Sequence, residues 1–365
     1  MSNNFDESID SKIDENIKAI MEKRNIKSSD NEPPGNTDFH GRNILLYGVP
    51  GSGKSFTIKK EYCDDENRLE RLVFHPDYTY SDFVGQILPD VSDGIVNYKF
   101  KPGPFTRLLK RAYENPTTEF FLIIEEINRG NAPAIFGEIF QLLDRDETGA
   151  SEYGISNTDI AKVVYGDETR KVRIPSNLNI IGTMNTSDQN VFTLDTAFQR
   201  RWEMRMIENN FDKADAEFAN HPILDTTVTW KTFCTEINKI ILDKNVRMTS
   251  SEDKRLGVYF VHLSDLIYDE NADNPNLSEK ERIKAKQNNS RFPEKVLKYL
   301  WDDAFKFSRE DIFEVSQYNS LEAVVAKFSS EKKMTDLKFL KKMYMMHLFL
   351  LMLMDKMIKG GDSTW

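Results

Sequence analysis

Gly48-Val49-Pro50-Gly51-Ser52-Gly53-Lys54-Ser55 satisfies the spacing G-x-x-x-x-G-K-[ST]. Each position has a chemical reason to be there. The glycines let backbone N–H groups turn inward around phosphate oxygens. A helix opening at Lys54 would aim its positive end at the same oxygens. The Lys54 ammonium would reach the β- and γ-phosphates, and the Ser55 hydroxyl would ligate Mg²⁺. Phe56, directly after the loop, is counted with it as a nucleotide-contacting residue. A second constellation is Phe121-Leu122-Ile123-Ile124-Glu125-Glu126. Two adjacent carboxylates after a buried apolar run are unfavourable unless a cation or a catalytic task holds them there. Glu125 takes the metal position, through a metal-bound water, and Glu126 polarises the water that attacks the γ-phosphate. Together the two motifs predict Mg²⁺-dependent hydrolysis of ATP or GTP. A loop that reads phosphates does not choose between the two bases.

The elements that would position these groups alternate in type. Ile44-Leu45-Leu46-Tyr47 is a short apolar run stopped by the glycine loop, which reads as a buried strand. Lys54 to Tyr62 reads as the helix that follows. Arg71 to His75, Phe120 to Ile124, Leu178 to Thr183 and Trp202 to Ile207 supply four more strands, and Ala134 to Leu143 has helical spacing. Strands separated by helices predict a five-stranded parallel sheet with flanking helices, an α/β fold. After about Glu208 helical stretches dominate: Trp230 to Leu242, Pro293 to Phe307, Ser320 to Phe328 and Met334 to Met357. The chain thus divides into a polar leader and linker (1–40), an α/β nucleotide-binding core (41–207) and a smaller α-helical lid (208–365). Within the lid, about 269–291 is charged and amide-rich without apolar periodicity, and reads as an exposed, mobile insertion.

Bulk properties narrow the function. Of 365 residues, 39% are hydrophobic and 11% aromatic, enough for a real core. A formal net charge of −10 argues against a surface that coats nucleic acid. Cys63 and Cys234 lie far apart, without metal-ligand spacing, and read as thiols in a reducing compartment. No cluster of ligands surrounds His75, which reads as structural. Met1 to Ser11 lacks the apolar core of a signal peptide. The apolar run Met343 to Met354 is shorter than the ~20 residues of a membrane helix and reads as a buried helix. The expectation is a cytoplasmic protein with no membrane contact.

With the two motifs in place, further segments become recognisable. Glu125-Glu126-Ile127-Asn128-Arg129-Gly130-Asn131 resembles the Walker B region of AAA+ proteins of the McrB type, NTPase subunits of modification-dependent restriction systems related to the MoxR and dynein-related group. Met184-Asn185-Thr186-Ser187-Asp188 resembles that family's signature, and Leu194 to Trp202 its segment leading into paired arginines. Phe74 to Gly85 resembles its second-strand segment. The resemblance runs from about Asn43 to Ile207 and implies a P-loop AAA+ core followed by a helical lid. It implies that Asn185 is the sensor touching the γ-phosphate or the attacking water, with Asp188 in the same signature. It also implies that Arg200 and Arg201 sit at a subunit edge, one entering the next subunit's site as an arginine finger. A positioned guanidinium would stabilise charge developing on the γ-phosphate. Two departures stand out: Glu125 where most such motors carry Asp, and Gln189 where the signature continues with Arg.

The implied assembly is a homo-oligomer, a hexameric ring, serving as motor for a separately encoded, McrC-like nuclease subunit. Any DNA contact would be indirect or made through inserts. Gly94 to Phe105 alternates in character and reads as a hairpin, with Lys99 and Lys101 either contacting phosphates or simply facing solvent; Asp146 to Arg173 is a second excursion. Two rival readings keep the motifs: a MoxR-like remodelling ATPase acting on proteins, and a nucleotide-gated scaffold with little turnover.

Overall fold

The computed structural model describes residues 39–92, 95–185, 192–244 and 254–330. Leader residues 1–38, Asp188, Gln189 and the segment Met334 to Met357, expected as a helix, lie outside the described residues. A five-stranded parallel sheet with flanking helices carries the two motifs, in the order β2-β5-β6-β1-β7. Its strands are β1 (Asn43–Gly48), β2 (Leu69–Val73), β5 (Phe120–Glu125), β6 (Leu178–Asn185) and β7 (Glu203–Met206). The expected second strand starts two residues earlier than its apolar run, at Leu69, because Leu69 to Val73 pairs in register with Phe121 to Glu125. β5 is also paired with β6, and its first five residues are buried. That explains its unbroken apolar run: a central parallel strand has no solvent face.

By compactness the described residues fall into two units. One comprises 39–45, 63–92, 95–183 and 192–204; the other comprises 46–62, Met184–Asn185, 205–244 and 254–330. The first unit buries an aromatic chain. Phe83 and Phe136 have ring centroids 5.0 Å apart, Phe136 and Phe198 5.5 Å, and Phe198 stacks on Trp202 at 5.7 Å. Such pairs each add about 0.5–1.5 kcal/mol beyond area burial. The helix expected over Ala134 to Leu143 is broken in two. A short α-turn, Ala132–Phe136, passes into a 3₁₀ turn, Gly137–Leu143, because Gly137 has φ +52°. The expected hairpin is present but longer: β3 (Gly85–Ser92) pairs antiparallel with β4 (Ile95–Pro102). Register puts Ile87 opposite Phe100, Pro89 opposite Tyr98 and Val91 opposite Val96, so these six share one face. Lys99 is ion-paired to Asp90 within the hairpin.

The second unit is mainly helical after the phosphate loop. Its core gathers Trp230, Phe233, Phe292 and Phe328, with Trp230 and Phe292 edge to face at 6.2 Å. Trp230–Lys244 and Leu321–Ser330 are helices where the sequence indicates them. Residues 293–304, expected as ordinary helix, carry two π-helical turns, Pro293–Leu297 and Leu300–Ala304. The stretch read as a mobile insertion carries a 14-residue helix, Glu279–Phe292. A capping box starts it: Ser278 Oγ accepts from the Glu281 amide, and the Glu281 carboxylate accepts from the Ser278 amide at 3.0 Å. Ala285 and Phe292 are its buried residues, which is why no apolar stripe is visible in sequence. Among the described residues, no helix is long and apolar enough to cross a membrane.

Candidate functional site

The phosphate loop leaves the end of β1, whose residues are all buried except Tyr47. Gly51 and Gly53 have φ of +74° and +100°, a region that L side chains avoid. Gly53 is the N-cap of helix α1 (Lys54–Glu61), which carries no acidic residue in its first turn. The Ser52 amide donates to Val49 O at 3.1 Å and closes the loop. Lys54 is buried, and its Nζ donates to Gly48 O at 2.9 Å and Val49 O at 3.1 Å. The Ser52 hydroxyl is buried with no hydrogen-bond partner. A buried orphan hydroxyl beside left-handed glycines at a helix N-terminus fits a phosphate group well. Ser55 and Phe56 are exposed at the start of α1. Pro50 and Val49 complete the loop, with Val49 buried.

The acidic pair ends β5. Glu125 is ion-paired with Arg71 of β2. The pairing follows from register: Arg71 lies opposite Ile123, two residues before Glu125, so both side chains share a face of the sheet. Glu126 departs from strand geometry, with φ +54° and ψ +47°. A glutamate in the left-handed region is uncommon and disfavoured by roughly 1–3 kcal/mol, and such residues concentrate at functional sites. Its amide donates to Thr183 Oγ1 of β6 at 3.2 Å. Its Oε2 lies 3.4 Å from Arg129 Nε, on the 3₁₀ turn that follows. Each carboxylate therefore has an arginine beside it, and both arginines would compete with a cation for those oxygens.

Asn185 is the last residue of β6 and is buried. The arginine pair is not equivalent. Arg201 is built into its own chain: Nη2 and Nε donate to Asp144 Oδ2 at 2.7 and 3.1 Å, Nη1 donates to Ala197 O at 2.8 Å, and the guanidinium lies 4.0 Å from the Phe140 ring centroid. Of the two arginines expected at a subunit edge, one of them as a finger, Arg201 is thus held by groups of its own chain. Arg200 is exposed, and among the described residues its guanidinium has no partner. His75 is exposed and packs edge to face on Tyr78 with ring centroids 5.3 Å apart. Cys63 and Cys234 are buried free thiols.

Three groups were not found from sequence. Arg71 and Arg129 act through sheet register and a 3₁₀ turn, which single-residue reading does not see. The third is Tyr259, whose amide donates to Gly51 O at 2.7 Å. The only signal for it is Gly257 standing beside an aromatic pair in an otherwise helical region.

Comparison with known proteins follows the same lines. Residues 43–202 match the AAA domain of the dynein-related subfamily. The chain is 32% identical over 317 residues to the type II restriction enzyme BsuMI component YdiS of Bacillus subtilis, covering 77% of this chain and 84% of that one. It is also 32% identical over 176 residues to the type IV methyl-directed restriction enzyme EcoKMcrB subunit of Escherichia coli, covering 47% of this chain and 36% of that one. The glycine loop, the acidic pair and strands β1, β2, β5 and β6 fall in the matched AAA domain, and the longer match extends well beyond it: the chain belongs to the AAA+ ATPases of the McrB type.

Proposed function

We propose that this chain hydrolyses a nucleoside triphosphate, ATP or GTP, as the ring-forming motor subunit of a restriction complex. The observation that carries the catalytic part is Glu126. Its left-handed backbone, tied to Thr183, turns the carboxylate out of the strand direction at the end of the buried strand β5. In the proposed reaction Glu126 accepts the proton of the attacking water. Gly48 to Ser55 would hold the phosphates, with Lys54 leaving its loop carbonyls to pair with them. Ser55 and Glu125 would hold Mg²⁺, which when bound neutralises charge on the phosphate oxygens. Asn185 would sense the γ-phosphate, with Asp188 of the same signature contributing to nucleotide binding, and Arg200 of a neighbouring copy would stabilise charge on the γ-phosphate. The partner is proposed to be a separate nuclease subunit, because one relative is named a component and the other a subunit of a restriction enzyme.

One observation favours a second reading. Arg71 at Glu125 and Arg129 at Glu126 are the contacts expected of a nucleotide-gated scaffold whose acidic pair is held back from chemistry. Turnover of ATP and of GTP by the assembled protein separates the two, with Glu126→Gln measured in parallel. Hydrolysis that Glu126→Gln abolishes supports the motor. Nucleotide binding without hydrolysis, even with nuclease partner and DNA present, overturns it in favour of the scaffold.

A further inference from the structure

The segment Leu256–Phe260 lies in the same compact unit as the phosphate loop and is neither helix nor strand. Its backbone groups must therefore find partners outside a helix or sheet ladder. They do so through side chains drawn from distant parts of the unit. Asn238 accepts from the Leu256 amide at 2.7 Å and donates to Leu256 O at 2.9 Å. Asn209 donates to Leu256 O at 2.8 Å and accepts from the Val258 amide at 3.0 Å. Trp230 Nε1 donates to Val258 O at 2.8 Å. Three buried or half-buried side chains thus hold an irregular segment in one place. The group it presents is the Tyr259 amide, which donates to Gly51 O at 2.7 Å.

That bond grips a particular peptide. The Gly51–Ser52 unit has its carbonyl held by Tyr259 and its N–H held by Val49 O. Held at both ends, the peptide plane cannot flip, and the loop keeps one conformation. The approach is close enough to demand glycine at 257: a Cβ there would lie 2.3 Å from Gly51 C and from Pro50 O. The Tyr259 ring adds a wall. It lies where a Cβ on Gly53 would meet it at 3.1 Å, and it stacks on Phe218 at 5.7 Å with an interplanar angle of 13°.

We propose that Leu256–Phe260 is a strap that preorganises the phosphate loop, with Gly257 and Tyr259 as positioning residues for the bound nucleoside triphosphate. The proposal rests on the reading that the loop binds such a nucleotide. A loop already fixed in its binding conformation loses less freedom when ligand arrives, so loosening the strap weakens binding. The test is a titration with fluorescent N-methylanthraniloyl ATP and GTP of the full chain, Gly257→Ala, Tyr259→Ala and Tyr259→Phe. Circular dichroism and thermal melting of each variant run alongside. Gly257→Ala is expected to weaken nucleotide binding by about tenfold or more, the worth of one hydrogen bond with its packing. Tyr259→Ala, which keeps the backbone donor and removes the wall, is expected to lose a smaller, severalfold share, and Tyr259→Phe is expected to restore parental affinity. Should Gly257→Ala fail to fold, the contrast between Tyr259→Ala and Tyr259→Phe decides alone. Parental affinity in Gly257→Ala and Tyr259→Ala overturns the strap while leaving nucleotide binding intact. Absence of binding by the parent chain overturns both the strap and the reading beneath it.

Discussion

Glu126 sits in backbone geometry that favours glycine, and Glu125 beside it does not. The contrast supports the proposal that the neighbouring carboxylates do different work. Glu126→Gln keeps the side-chain shape and loses the base, so turnover should fall about 10²- to 10⁴-fold while nucleotide affinity holds. Steady-state hydrolysis with a binding titration checks both halves. Glu125 is governed instead by Arg71. Removing that guanidinium leaves two adjacent carboxylates without it, so Arg71→Ala should tighten Mn²⁺ binding to the nucleotide complex severalfold. Electron paramagnetic resonance of free Mn²⁺ reads that directly, and unchanged or weaker binding would show that Arg71 does not compete for the site. Cys234 gives a simpler case. Burial pushes its thiol well above the ordinary cysteine range. The thiolate is the reactive form, so Cys234 should resist a thiol reagent in the native protein and react on unfolding. Thiol titration before and after denaturant reports this.

At the scale of elements, strands β1 and β5 were legible because their apolar runs are unbroken, and the loop because its spacing is strict. Glu125 and Glu126 were legible because charge directly after such a run is unusual. The helix Glu279–Phe292 was not, because reading for an apolar stripe fails on a helix that buries only Ala285 and Phe292. Its signal was chemical: Ser278 followed three residues later by Glu281 is the spacing of a capping box. Ser278→Ala should lower stability by about 1 kcal/mol, read from urea unfolding of the full chain. An unchanged midpoint would mean that the box contributes nothing and that the helix is held by its two buried residues. The arginines beside the acidic pair escaped for another reason. Arg71 meets Glu125 only because β2 and β5 pair in one register, and register is a property of two strands together.

At the scale of the whole molecule, the two arginines after Ala197 separate what one chain does for itself from what it is proposed to offer a neighbour. Arg201 uses its guanidinium on Asp144, Ala197 and Phe140, so replacing it should damage the fold of its own chain. Arg200 is exposed, so Arg200→Ala should leave melting temperature and nucleotide affinity unchanged. If Arg200 acts across a junction, the same variant should lose most turnover, as arginine fingers commonly supply about 10³-fold or more. Loss alone does not distinguish a neighbour's arginine from the chain's own. Mixing does. Arg200→Ala and Glu126→Gln chains should each be inactive alone. In a mixed ring, an Arg200→Ala chain beside a Glu126→Gln chain can form a junction holding both an intact Glu126 and an intact Arg200. Random equal mixing makes about a quarter of junctions whole in a closed, head-to-tail ring. Hydrolysis should therefore reappear on mixing and scale with the product of the two fractions. If Arg200 works within its own chain, every mixed chain still lacks one group, and the mixture stays as inactive as its parts.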